Sequence, residues 1–110
     1  MVLIIGGSYQ GKNQYARDNF PDSKYFNQLH LFVKKRLDEG NDLESILQEI
    51  KDSTSQGNWV IISDEIGNGV VPLEAEDRNF REVTGSILIS LAKDASEVYR
   101  VTCGIGQRIK

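Results

Sequence analysis

Residues 6–13 read Gly-Gly-Ser-Tyr-Gln-Gly-Lys-Asn and follow an apolar run. The spacing G-x-x-x-x-G-K is that of a phosphate-binding loop, in which backbone N–H groups and a lysine surround the phosphates of a nucleotide. Asn13 stands where this pattern has Ser or Thr, whose hydroxyl would coordinate magnesium. The loop therefore predicts binding of ATP or GTP, and Asn13 weakens the case for turnover. The predicted nucleotide-binding residues are Gly6, Gly7, Ser8, Tyr9, Gln10, Gly11, Lys12 and Asn13.

A second group of polar residues follows the most apolar segment of the chain. Residues 59–62 read Trp-Val-Ile-Ile, and Ser63, Asp64 and Glu65 come next. Ligands bind at the carboxyl ends of parallel strands, so both carboxylates would face Lys12 if the two strands were neighbours. One acid would then hold magnesium and the other would act as a base. Lys12, Asp64 and Glu65 are thus the candidate catalytic residues, although Asp64 and Glu65 could instead only begin a polar turn.

His30 and Cys103 are the only histidine and the only cysteine. His30 interrupts a helical pattern, and two interpretations stay open: a helix residue without a role, or a group for proton transfer or for carrying a nucleotidyl group. Cys103 comes late in a predicted strand and is expected to be a small buried hydrophobe. A single cysteine forms no internal disulfide, and no Cys/His cluster suggests zinc.

Strands and helices alternate along the chain. Strands are predicted over 2–5, 24–26, 59–62 and 98–103, with a short terminal one over 107–110. Helices are predicted over 13–19, from Leu29 to a C-cap at Gly40, from a cap at Asn41 or Asp42 to a region ended by Gly57, and from Pro72 to about Lys93. A two-glycine loop over 66–71 precedes Pro72. This alternation predicts one three-layer α/β domain over residues 1–110 with a mainly parallel sheet.

Composition sets the class of protein. The 110 residues are 39% hydrophobic and 26% charged, with a net charge of −3, which is typical of a globular domain and not of a disordered, fibrous or membrane-spanning chain. The densest basic cluster, over 34–36, fits a solvated helix face, so neither nucleic acid nor a membrane is an expected partner. The first residues lack a basic stretch and a long apolar run, so a cytoplasmic location is expected.

Several motifs resemble one known family. Residues 64–72, Asp-Glu-Ile-Gly-Asn-Gly-Val-Val-Pro, resemble the Asn-Glu-Val-Gly-x-Gly-Ile-Val-Pro motif of the bifunctional adenosylcobinamide kinase/adenosylcobinamide-phosphate guanylyltransferases. Residues 78–82, Gly85 and residues 95–101 are similar to that family's Arg-x-Phe-Arg-Asp, Gly and Ala-Asp-Glu-Val-Tyr-x-Val. Residues 104–110 resemble its Gly-x-x-x-x-x-Lys ending, and residues 6–12 its Gly-Gly-x-x-Ser-Gly-Lys loop.

The resemblance implies a fold, an activity and partners. Members have a P-loop NTPase-like fold and assemble as trimers, so a homo-oligomer is implied. They transfer phosphate from a nucleoside triphosphate to adenosylcobinamide and then guanylylate the product through a histidine. The implied ligands are therefore a nucleotide, a corrinoid and Mg²⁺.

Two positions depart from the family at the implied metal site. Asn13 replaces the hydroxyl residue after the loop lysine, and Asn27 aligns with a metal-holding Asp. Amide oxygens are weaker ligands for magnesium than carboxylates, whereas Asp64, where the family has Asn, would restore one. Asn13 and Asp64 are therefore the candidate metal ligands.

The same alignment leaves the histidine step without its residue. No residue matches the family's guanylylated histidine, and His30 aligns with a Thr. Two hypotheses follow: a kinase that has lost guanylyl transfer, or a non-catalytic nucleotide or corrinoid binder acting as a sensor or partner subunit.

Overall fold

The computed structural model describes residues 1–65 and 75–110. Their elements, in chain order, are β1 (Val2–Gly6), α1 (Lys12–Asn19), β2 (Lys24–Phe26), α2 (Leu29–Asp38), α3 (Leu43–Ser53), β3 (Trp59–Asp64), α4 (Ala75–Asp94), β4 (Glu97–Thr102) and β5 (Ile105–Arg108). The predicted loop over 66–71 and the predicted helix start at Pro72 lie outside the described residues.

The strands form one five-stranded sheet in the order β2-β3-β1-β4-β5. The first four strands are parallel, and β5 pairs with β4 antiparallel. In the centre, Val2 of β1 lies opposite Val60 of β3 on one side and Glu97 of β4 on the other. The condition that the strand before the phosphate loop and the strand before Asp64 are neighbours is therefore met.

Helices cover both faces of the sheet. Leu3 and Ile61 point to the face packed by α2, α3 and α4, whereas Ile4 and Val60 point to the face packed by α1. Because successive side chains of a strand alternate between faces, the apolar runs 2–5 of β1 and 59–62 of β3 place apolar side chains on both faces of the sheet. The three-layer α/β architecture with a mainly parallel sheet is confirmed. Within the described part of the chain, no helix combines the length and the apolar content that a membrane span requires.

Helix ends differ from the predicted ones by a few residues. Asp42, and not Asn41, caps α3, since its carboxylate accepts a hydrogen bond from Ser45 N–H. Helix α3 ends at Ser53, before Gly57. Glu39 is the C-cap of α2, and Gly40 follows it with φ 90°, where its N–H donates to the carbonyl of Leu37. A left-handed residue just after a helix favours glycine, which explains why Gly40 marks this end.

The carboxyl-terminal prediction is wrong in two respects. Cys103 is exposed and lies in a two-residue turn instead of in a strand. The last strand is Ile105–Arg108, not 107–110. Both turn residues have positive φ, 51° at Cys103 and 76° at Gly104, the backbone conformation of a tight hairpin turn. The chain therefore reverses directly after Thr102, and Cys103 does not reach the core.

Candidate functional site

The predicted phosphate loop connects β1 to α1. Gly11, with φ 87°, is the N-cap of α1, and Lys12 is its first residue. Among the described residues no side chain caps this helix start, so its first N–H groups are available to an anion. Gly7, Ser8 and Tyr9 are exposed to solvent. The loop therefore has the position that anion binding at a helix N-terminus requires.

Lys12 and Asp64 meet at the carboxyl ends of β1 and β3. Lys12 Nζ lies 2.7 Å from Asp64 Oδ1 and also donates to the carbonyl of Gly7 at 2.6 Å. Ser8 Oγ donates to Asp64 Oδ2 at 2.7 Å. The Lys12 side chain is only 9% exposed, so its charge is held inside the loop by the carboxylate.

The environment of Asp64 stabilises its ionised form. Burial acts to raise the pKa of Asp64, but hydrogen bonds from Lys12 and Ser8 and the nearby charges of His30 and Lys12 outweigh it, so the pKa lies below its usual value. Asp64 is thus a fixed negative charge beside the loop at neutral pH.

A cleft of about 550 Å³ opens beside this pair. It lies between the phosphate loop, the exposed side of α1, the start of α2 and the end of β3. The residues that line it are Ser8, Tyr9, Gln10, Gly11, Lys12, Asn13, Gln14, Arg17, Asn27, Gln28, His30, Ile62, Ser63 and Asp64. Its size falls within the usual range for small-molecule sites.

The sequence left the role of His30 open, and the structure places it in this cleft. Its Nδ1 accepts a hydrogen bond from the backbone N–H of Asp64 at 3.1 Å, and its Nε2 lies 3.4 Å from Asp64 Oδ2. Because Nδ1 accepts, the neutral ring carries its proton on Nε2, facing the carboxylate. Both ring nitrogens therefore contact Asp64, so the ring is placed to fix the end of β3.

Arg17 is a cleft residue that the sequence reasoning missed. A helical signal existed, since Arg17 lies four residues after Asn13 and so shares its side of α1. No comparable local signal existed for His30, because its position depends on the pairing of β2 with β3.

A pH-dependent stability is expected from His30. Burial lowers the pKa of His30 below 6.5, helped by the charge of Lys12 and opposed by that of Asp64. The unfolded chain then binds more protons than the folded one in the window below pH 6.5, so the free energy of unfolding should fall as the pH drops through it. Thermal unfolding of the wild type and His30→Gln from about pH 7.5 to about pH 5.5 checks this. Since the chain has one histidine, the variant should lose this part of the slope, and equal slopes would contradict the assignment.

Glu65 is directed away from the cleft. Its carboxylate pairs with Arg100 of β4, at 2.7 Å from one guanidinium nitrogen, and its N–H donates to the carbonyl of Gly6. Glu65 is not among the lining residues. Of the two carboxylates expected to face Lys12, the structure places only Asp64 there.

The candidate metal ligands lie around the same cleft. Asn13 and Asn27 are exposed at its wall, and Asn27 Oδ1 accepts from Gln28 N–H. Among residues 1–65 and 75–110, no three His, Cys, Asp or Glu side chains cluster as a metal site. Magnesium, however, is commonly held by one carboxylate, water and the phosphates of a substrate. Asp64 with the amide oxygen of Asn13 fits that mode.

Comparison with known proteins adds an independent finding. A family model described as cobinamide kinase / cobinamide phosphate guanyltransferase matches residues 25–109, so the phosphate loop lies outside the matched range. The bifunctional adenosylcobalamin biosynthesis proteins CobU of Escherichia coli (strain K12) and Salmonella typhimurium (strain LT2) are each 41% identical over 51 residues, 46% of this chain. The matched segment spans 28% of the length of each relative. The family match covers most of the chain, and the chain therefore belongs to the cobinamide kinase / cobinamide phosphate guanyltransferase family.

Proposed function

We propose that this chain binds a nucleoside triphosphate, ATP or GTP, in the cleft and transfers its terminal phosphoryl group to a hydroxyl of cobinamide. One observation carries the proposal: Lys12 and Asp64 meet 2.7 Å apart beside an uncapped helix start, in a cleft large enough for a nucleotide. Family membership supports the corrinoid as acceptor, since the matching family model is described by its action on cobinamide.

Each residue has a role in this proposal. The N–H groups at the start of α1 and the loop position the phosphates, and Lys12 neutralises the charge that develops on the outer ones. Asp64 orients the acceptor hydroxyl or a metal-bound water, because it is the one carboxylate in the cleft among the described residues. Glu65, paired with Arg100, links the end of β3 to β4 across β1 instead.

Magnesium fits the site. Asp64 and Asn13 would hold it together with the phosphates, and when bound it would neutralise phosphate charge during transfer. Asn13 offers a neutral oxygen, so the proposed affinity for the metal depends mainly on Asp64.

The proposed activity stops at phosphoryl transfer. Guanylyl transfer needs a nucleophile free to attack a phosphate, and both nitrogens of His30 contact Asp64. His30 is therefore assigned a positioning role beside the phosphates. A single domain over residues 1–110 and assembly into a homo-oligomer stay predictions.

The test is phosphorylation of cobinamide by the purified chain with ATP or GTP and Mg²⁺. Turnover that Lys12→Ala abolishes supports the proposal. Lys51→Ala is the matched control, because Lys51 pairs with Asp94 on the surface, and it should leave turnover unchanged. Absence of turnover with both nucleotides and a panel of corrinoids would overturn the kinase assignment.

Calorimetry separates the kinase from the non-catalytic alternative. A kinase should bind nucleotide more tightly with Mg²⁺ than with a chelator present. A sensor or partner subunit should bind nucleotide tightly and equally in both conditions. Lack of any nucleotide binding would exclude both functions.

A further inference from the structure

The hairpin turn between β4 and β5 contacts the phosphate loop through Gln10. The carbonyl of Gln10 accepts a hydrogen bond from Gly104 N–H at 2.7 Å, and its side-chain Oε1 accepts one from Cys103 N–H at 2.7 Å. A side chain on Gly11 would come within 3.2 Å of Gly104 Cα, so loop and turn also meet backbone to backbone. Loop residue 10 is therefore tied to the hairpin at two points.

These bonds fix the orientation of the peptide group between Gln10 and Gly11, two residues that line the cleft. In a planar trans peptide the carbonyl and the following N–H point in opposite directions. The carbonyl of Gln10 points to the hairpin turn, so the N–H of Gly11 points away from it. Gly11 lines the cleft, whereas Cys103 and Gly104 do not. The hairpin thus orients one of the N–H groups at the start of α1 before a ligand arrives.

The side chain of Gln10 gives the loop a second hydrogen bond to the hairpin turn, in addition to the backbone one. Gly7, Ser8 and Tyr9 are exposed, so the loop before Gln10 has little packing of its own. The side-chain oxygen of Gln10 reaches the hairpin turn. The family's loop pattern has Ser at this position, and the Ser side chain is shorter and has no carbonyl group to accept the Cys103 N–H. Preorganised donors bind an anion without the cost of ordering them on binding.

We propose that Gln10 is a positioning residue for the binding of polyphosphate. Its two hydrogen bonds to the Cys103–Gly104 turn hold the phosphate loop in the conformation that binds. The inference rests on the proposed function, because it assigns the loop to phosphate binding.

The test compares Gln10→Met with the wild type, using inorganic tripolyphosphate as the probe. Methionine has similar length but no amide oxygen. Loss of one hydrogen bond should lower tripolyphosphate affinity by about fivefold in calorimetry. In the ligand-free variant, the Cys103 amide should exchange with solvent roughly fivefold faster by NMR. Gln48→Met, which removes a surface bond to Asp52 on α3, is the control and should change neither quantity.

The outcomes separate this inference from the proposed function. Equal tripolyphosphate affinity of Gln10→Met and wild type, or unchanged exchange at the Cys103 amide, would overturn the positioning role of Gln10 and leave the proposed function standing. A wild type that binds no polyphosphate would overturn both. Should Gln10→Met fail to fold, the wild type decides: tripolyphosphate should slow exchange of its Cys103 amide, and no slowing would overturn the inference.

Discussion

Asp64→Asn is expected to raise magnesium-free affinity for a nucleoside triphosphate about tenfold and to lower turnover about a hundredfold. In the wild type, the Asp64 carboxylate holds Lys12 Nζ at 2.7 Å. An incoming phosphate has to displace that carboxylate and is repelled by its charge. The amide of Asn has the same shape without the charge, so Lys12 becomes available to the phosphate.

The same substitution should remove most of the benefit of magnesium. Asp64 is the carboxylate that fits as its ligand, and a neutral amide oxygen binds this cation more weakly. Calorimetry with ATP or GTP, in a chelator and then in excess Mg²⁺, measures the magnesium-free affinity and the gain in affinity that magnesium adds. Asp52→Asn is the matched control, since Asp52 lies on the exposed surface of α3. Weaker magnesium-free binding by Asp64→Asn would show that the carboxylate does not compete with phosphate.

Gly6→Ala is expected to lower the free energy of unfolding by about 3 kcal/mol and to disrupt the phosphate loop. A Cβ at Gly6 would overlap the carbonyl oxygen of Val101 and approach the Lys12 side chain. Gly6 is buried and pairs with Asp64 across β1 and β3, so the overlap cannot be relieved without moving a central strand. The substitution should therefore destabilise the sheet and separate Lys12 from Asp64.

Gly85→Ala is the matched control for this glycine substitution. Gly85 lies within α4, and a Cβ there would meet none of the described residues within 4 Å. Alanine favours the helix, so the free energy of unfolding should rise by about 0.5–1 kcal/mol. Urea denaturation of both variants gives the two values. A Gly6→Ala chain as stable as the wild type would contradict the close approach of β1 to Val101.

The central strands and the phosphate loop were predictable because their signals are local. A continuous apolar run indicates a strand buried on both faces, and β1 and β3 carry such runs. The glycine pattern before Lys12 indicates a turn into a helix, which is what Gly11 forms as the N-cap of α1. The sequence did not predict that β1 and β3 are neighbours and used it only as a condition, since no local pattern encodes the order of strands in a sheet.

The contacts of His30, Glu65 and Gln10 depend on residues distant in sequence and were not predictable. His30 reaches Asp64 because the three-residue β2 places the start of α2 beside the end of β3. Glu65 turns to Arg100 because β4 lies on the other side of β1. Cys103 was assigned to the core because the predicted strand with Val98 and Val101 was extended through it, whereas β4 ends at Thr102 and two positive φ angles then reverse the chain. Gly104, with φ 76°, was the local signal for that turn, since glycine adopts positive φ readily.

The sheet order has a consequence for how the protein reaches its native state. β1 pairs with β3 and β4, so the first strand of the chain has to meet strands that begin only at Trp59 and Glu97. Such non-local pairing slows folding, because distant segments lose chain entropy before they gain contacts. Lys12, His30, Asp64 and Gly104 come together by the same pairings. Competence to bind polyphosphate should therefore appear in a refolding experiment at the same rate as the final Trp59 fluorescence, with no earlier binding phase.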